Sequence, residues 1–91
     1  MSSRYKSVIM EQKPIGVVTH YFDKIGVAIV KFNREVKVGE TISFKGTHTD
    51  FTQEISSMQY NHKDIKSAKK GQEVGIKVEE KVREGDEVYA A

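Results

Sequence analysis

The side chains of this sequence that could do chemistry are few, and most are cations. Lys63, Lys66, Lys69 and Lys70 crowd into His62-Lys-Asp-Ile-Lys-Ser-Ala-Lys-Lys70, with Asp64 as the one acid among them. Ammonium groups at that density suit phosphate, because each contact releases condensed counterions and makes binding salt-dependent. Tyr21, Phe22, His48 and Tyr60 supply rings on which unpaired bases stack where the rings are exposed. Together these residues form a candidate RNA surface.

Other chemistries fare worse. The three histidines, His20, His48 and His62, are scattered without ligand spacing, and the chain has no cysteine. Thiolate nucleophiles and cysteine-based zinc sites are therefore excluded, and neither a metal nor a cofactor is expected. His48 and Asp50 would share a strand face, but they read as surface polar residues. Ser43, Ser56, Ser57 and Ser67 lie outside any Gly-x-Ser-x-Gly elbow. The carboxylate pairs Glu79-Glu80 and Asp86-Glu87 are consecutive, so on extended backbone they point opposite ways, which ill suits acid–base work. The expectation is a protein without catalytic activity.

The elements that must position these residues are punctuated by glycine. Val36-Lys-Val-Gly39-Glu-Thr-Ile42, Ala68-Lys-Lys-Gly71-Gln-Glu-Val74 and Val82-Arg-Glu-Gly85-Asp-Glu-Val88 follow one template: small apolar, basic, any, Gly, polar, polar, β-branched. Glycine sits where a tight turn needs positive φ, and the β-branched residue three positions later begins a strand. The glycine spacings, 32 and 14 residues, mark a recurring turn and not a repeat architecture.

Alternation places the strands between those turns. Thr41–Lys45 puts Ile42 and Phe44 on one face, and Glu73–Glu79 does the same with Val74, Ile76 and Val78. Ile15–Thr19 is a first strand, joined through Tyr21–Gly26 to Gly26–Phe32, which is apolar on both sides. A strand of that kind is buried by the core on one face and by a neighbour on the other. Ala28, Val30 and Phe32 are accordingly candidates for a protein interface. Between Phe51 and Tyr60 the parity shifts at Ser56-Ser57, which predicts a β-bulge there. Asn61–Lys70 is too short and polar for an amphipathic helix and reads as a surface loop with at most one helical turn. The outcome is an all-β domain, a small antiparallel barrel of about six strands over residues 13–91. Residues 1–12 read as a partly loose tail, with Met10 as an alternative start to Met1.

Length and composition agree. Ninety-one residues make one domain, and 37% apolar with 31% charged residues describes a soluble globular chain. No apolar run approaches the roughly 20 residues of a membrane span, and no secretory h-region is visible, so a cytoplasmic location without membrane contact is expected. The net charge of +2 averages the lysine loop against an acidic stretch from Glu79 onward.

From Ile15 to Tyr89 the ordered motifs resemble domain 2 of the translational GTPases, the β-barrel that follows the GTP-binding domain of elongation factor Tu. They are Gly26-Val-Ala-Ile-Val, Val36-Lys-Val-Gly39-Glu-Thr-Ile, Ile55-Ser-Ser-Met58, Ala68-Lys-Lys-Gly71-Gln-Glu-Val-Gly75 and Val82-Arg-Glu-Gly85-Asp-Glu-Val. Gly46–Gln53 and Tyr21–Ala28 look more specifically like small stand-alone elongation factor-like proteins. A related barrel is also appended to some collagenase-like peptidases. No phosphate-cradling Gly-rich loop with Lys and Ser/Thr occurs, nor any guanine-reading Asn-Lys-x-Asp, so no nucleotide is expected. Val17 and Val18 stand where elongation factor Tu has an acidic pair. What the resemblance implies is a translation-factor module that contacts tRNA or ribosomal RNA. The alternative is a protein adaptor that docks on a separate enzyme, or a homodimer.

Overall fold

The computed structural model describes residues 13–91. The expectations for the tail and for the start at Met10 lie outside the described residues. The chain has ten strands and no helix among those residues: β1 (Gly16–Phe22), β2 (Val27–Phe32), β3 (Val36–Lys37), β4 (Thr41–Gly46), β5 (Thr49–Glu54), β6 (Met58–Tyr60), β7 (Lys63–Ile65), β8 (Ser67–Ala68), β9 (Glu73–Lys77) and β10 (Glu87–Ala90). Eight form one antiparallel sheet in the order β5-β4-β10-β1-β2-β9-β6-β7, and β3 pairs with β8 in a separate ribbon.

The three glycine turns explain how these strands start. Gly39, Gly71 and Gly85 have φ of 99°, 87° and 92°. In each turn the amide just after the glycine closes back on the carbonyl three residues earlier: Glu40 N–H donates to the Lys37 carbonyl, Gln72 N–H to Lys69 and Asp86 N–H to Arg83. Positive φ at the third residue is the signature of a type II turn. The same three polar residues then close each turn a second time. The side chains of Glu40, Gln72 and Asp86 accept the backbone N–H of Lys37, Lys69 and Arg83 at 2.9, 2.8 and 2.8 Å. The template's polar residue after glycine is thus part of the turn. The apolar residues that flank each turn, Val36 with Ile42, Ala68 with Val74 and Val82 with Val88, are all buried.

One face of the curled sheet holds the core. Val18, Val30, Phe32, Ile42, Phe44, Ile55, Met58, Val74, Ile76 and Val88 form a single buried cluster, and Phe51 stacks on Phe44 with ring centroids 5.0 Å apart. Alternation located Ile42, Phe44, Val74, Ile76 and Val78 correctly. Other expectations need correction. The sheet does not close as a six-strand barrel: β5 and β7 are its two edges, without a ladder between them. The curl is held instead by the Gln53 side chain of β5. Its amide N–H donates to the Lys77 carbonyl at 2.9 Å, and its oxygen accepts Glu79 N–H at 2.9 Å.

The parity shift at Ser56-Ser57 is real but is no bulge. The chain leaves its ladder with β4 after Glu54 and joins β9 from Met58. Ile55 spans the break by exchanging backbone bonds with Gly39 and Glu40. The irregularity within a strand lies in β1, between Val18 and His20. The stretch read as a loop contains a hairpin: β6 and β7 meet through Asn61-His62, with φ of 54° and 65°. Two successive left-handed residues suit a two-residue type I′ connection, for which asparagine is a favoured first residue.

Candidate functional site

Ala28, Val30 and Phe32 cannot present an interface. They point into the core with relative exposures of 0, 0 and 1%. The other parity of β2, Val27, Ile29 and Lys31, faces outward, and the outer surface of the sheet is where functional groups collect.

Two shallow depressions mark that surface. The first, of about 310 Å³, lies over Val17 and between Lys31, Lys70 and Glu87, with Pro14 and Phe32 in its walls. Cross-strand register builds it. Val17 of β1 stands opposite Glu87 of β10 on one side and Lys31 of β2 on the other. The row continues outward: Lys31 faces Glu73, Glu87 faces Lys45, and Lys45 faces Asp50. Six strands thus carry Asp50, Lys45, Glu87, Val17, Lys31 and Glu73 in line, a charge ladder interrupted only by Val17. At one end of this row Lys45 and Asp50 form an ion pair of 2.7 Å, exposed to water and so weakly stabilising. Glu87 accepts the Tyr89 hydroxyl at 2.9 Å, a bond that, with some burial and the nearby negative charge, raises the phenol above its ordinary 10.0. At the other end Glu73 accepts from the Thr19 hydroxyl.

The second depression, of about 330 Å³, lies over the far part of β2 and β9. Phe22 and Ile25 stand proud of it at 50 and 59% exposure. His20 lies stacked near Phe22, with centroids 6.4 Å apart, and contacts Glu84 at 3.4 Å. Gly75 keeps this surface low. A Cβ there would come within 3.3 Å of Val27 Cγ1 and 3.6 Å of Ile29 Cδ1.

The expected RNA residues do not assemble into one site. Lys63 lies in β7, Lys66 between β7 and β8, and Lys69 and Lys70 in the turn before β9. Of the basic candidates only Lys70 lines the first depression and only His62 the second. Among the aromatic candidates, Tyr21 packs against the core, Phe22 is exposed, Tyr60 is 37% exposed and His48 sits in the exposed β4–β5 turn. Gly39, Gly71 and Gly85 serve turns. Among the described residues no group of three metal-ligating side chains occurs. Asp86, one of the paired carboxylates, is buried and accepts both the Arg83 N–H and the Thr49 hydroxyl, which fixes it as structure. Sequence reasoning missed Val17, Lys31 and Glu87. They lie far apart in the chain and meet only through register, so no local signal marks them.

Comparison with known proteins follows the same fold. The structure superposes on the C-terminal domain of a putative U32 peptidase from Geobacillus thermoleovorans with a TM-score of 0.80 at 22% identity, over 88% of this chain and 92% of that one. The selenomethionine variant of that domain gives the same TM-score over 86% of this chain and 99% of that one. In sequence, the chain is 40% identical over 89 residues to an uncharacterized protease of Methanocaldococcus jannaschii, covering 97% of this chain and 21% of the protease. It is 34% identical to a collagenase of Porphyromonas gingivalis, covering 94% of this chain and 25% of the collagenase. No family model matches. The chain therefore spans between a fifth and a quarter of the curated relatives' length.

These likenesses overturn the reading as an elongation factor-like module that binds RNA or the ribosome. The sequence relatives are a protease and a collagenase instead, and they support neither a stand-alone adaptor nor a homodimer. The shared motifs misled because they encode turns and buried strand starts, as the three glycine turns demonstrate. Such chemistry specifies a way of folding and carries no function.

Proposed function

We propose that the chain is a non-catalytic module of U32 peptidase type, which contributes binding to a peptidase and no chemistry of its own. The observation that carries this reading is the match of nearly the whole chain to a minor fraction of a protease and of a collagenase. A solved domain of the same fold, C-terminal in its own protein, adds support. The side chains agree with it. Asp86 serves a turn, Ser43 shares a hydrogen bond with Thr52, and the histidines are dispersed over separate turns and strands.

The test is a domain exchange in the Porphyromonas gingivalis collagenase, with gelatin as substrate. Removing the matched quarter is expected to raise KM with kcat little changed, since binding would be lost and the reacting groups kept. Inserting this chain is expected to restore KM. Gelatin hydrolysis by the isolated chain, or a deletion that leaves KM unaltered, would overturn the proposal.

A further inference from the structure

We infer that the depression over Val17 is a binding site for the free C-terminal end of a peptide, with its carboxylate held by Lys31 and Lys70 and its last apolar side chain resting on Val17. The choice of a peptide rests on the module reading above. The choice of a carboxylate end rests on the site alone.

Charge and shape select this occupant together. Among the described residues neither Lys31 nor Lys70 forms an ion pair or a hydrogen bond through its ammonium group. Two unengaged cations at the rim of a largely apolar hollow attract an anion that carries apolar surface. Glu87 forms the opposite wall. Two strand spacings, roughly 10 Å, separate the Glu87 and Lys31 backbones. The carboxylate of a ligand is therefore drawn to the lysine side and repelled from the Glu87 side, which gives the bound chain a direction. Glu87 keeps acceptor capacity beyond the Tyr89 hydroxyl, and it can take an N–H of the incoming peptide.

The walls are fixed before any ligand arrives. Gly71 N–H donates to the Phe32 carbonyl at 2.8 Å and ties the Lys70 turn to the end of β2. Asn33 N–H donates to Ile15 at 2.8 Å, and the Asn33 side-chain amide donates to Pro14 at 3.0 Å. A preformed site spares its ligand the cost of ordering loops. A volume of about 310 Å³ suits the last two residues of a peptide and excludes a folded partner.

The experiment is an amide-shift titration of the isotope-labelled chain with N-acetyl-Gly-Gly-Leu and, separately, with its C-terminal amide. The acid is expected to move the signals of Val17, Asn33 and Gly71 saturably, and the amide to bind about tenfold more weakly or less. Lys31→Gln with Lys70→Gln should bring the acid down to the level of the amide. Both residues are exposed, so the double variant is expected to melt where the parent does. Phe22→Ser, outside the hollow, should leave binding unchanged. Equal binding of acid and amide overturns the inference, as do shifts centred on Phe22 and Gly75. Identical shifts with inorganic phosphate at the same concentration also overturn it, since the hollow would then be a general anion site. Failure here leaves the collagenase exchange standing, and a failed exchange leaves carboxylate-selective binding standing, so the two proposals fall separately.

Discussion

Asp86 shows how a residue that looks available for chemistry is spent on structure. Its carboxylate closes the third glycine turn on the Arg83 N–H and also receives the Thr49 hydroxyl. The backbone of Gly46 passes so close that a Cβ there would overlap the carboxylate, 2.0 Å from Oδ1. Glu40 and Gln72 play the same part in turns that are more open to water. Asp86→Ala strands two donors in a buried place and is expected to cost roughly 2–3 kcal/mol in urea unfolding. Gln72→Ala should cost clearly less, because water can replace the lost acceptor. Equal costs would refute the difference in burial as the cause. Tyr89 supplies a pH-dependent counterpart. Its folded pKa is raised above 10.0, first by the bond to Glu87. The protonated phenol is thus the form the fold favours, and its contribution to stability is full below pH 10 and lost as pH climbs through the raised value. Tyr89→Phe should lessen the fall in stability between pH 9 and 11 and leave the slope of stability against pH near neutrality as it is.

Among the elements, the glycine turns were the most legible part of the sequence, because positive φ, a closing polar residue and a buried strand start recur together. At Gly39, Gly71 and Gly85 an added Cβ would meet nothing within 4 Å. The cost of substitution is therefore conformational and not steric. Each Gly→Ala is expected to lose about 1 kcal/mol or somewhat more, with Gly→Asn recovering part of it because asparagine tolerates the left-handed region. Thermal melting of the three pairs measures this. Strands with strict alternation were legible for a similar reason: the pattern of β4 and β9 is set within a few residues. What could not be read was how strands end. β5 stops where the chain changes partners at Ile55, and that exchange depends on Gly39 and Glu40, which are distant in sequence. β7 and β8 have three and two residues, too few for alternation to show. Gln53 was illegible as a seam because its partners, Lys77 and Glu79, belong to the far side of the sheet.

At the scale of the whole molecule, register decides what sequence cannot. Lysines close in the chain are spread over β7, the β7–β8 link and the turn before β9, while Lys31, Val17 and Glu87 become neighbours through two ladders. The candidate site was hidden for this reason, although β1 and β2, two of the three strands that carry it, were foreseen. The same long-range pairing bears on how the domain unfolds. One continuous core joins both ends of the sheet, and the edge strand β5 is stitched to the end of β9 by a single side chain. Far-UV circular dichroism and tyrosine fluorescence should therefore report one urea transition. Gln53→Ala removes the stitch and leaves the Glu79 N–H without its acceptor, for a loss of about 1–3 kcal/mol. Hydrogen exchange should then quicken first at Glu79 and next along β5, before the β1–β2 ladder is affected. Uniform loss of protection across all strands would mean that the edges are held by packing alone. Unchanged exchange at Glu79 would mean that Gln53 does not close the sheet.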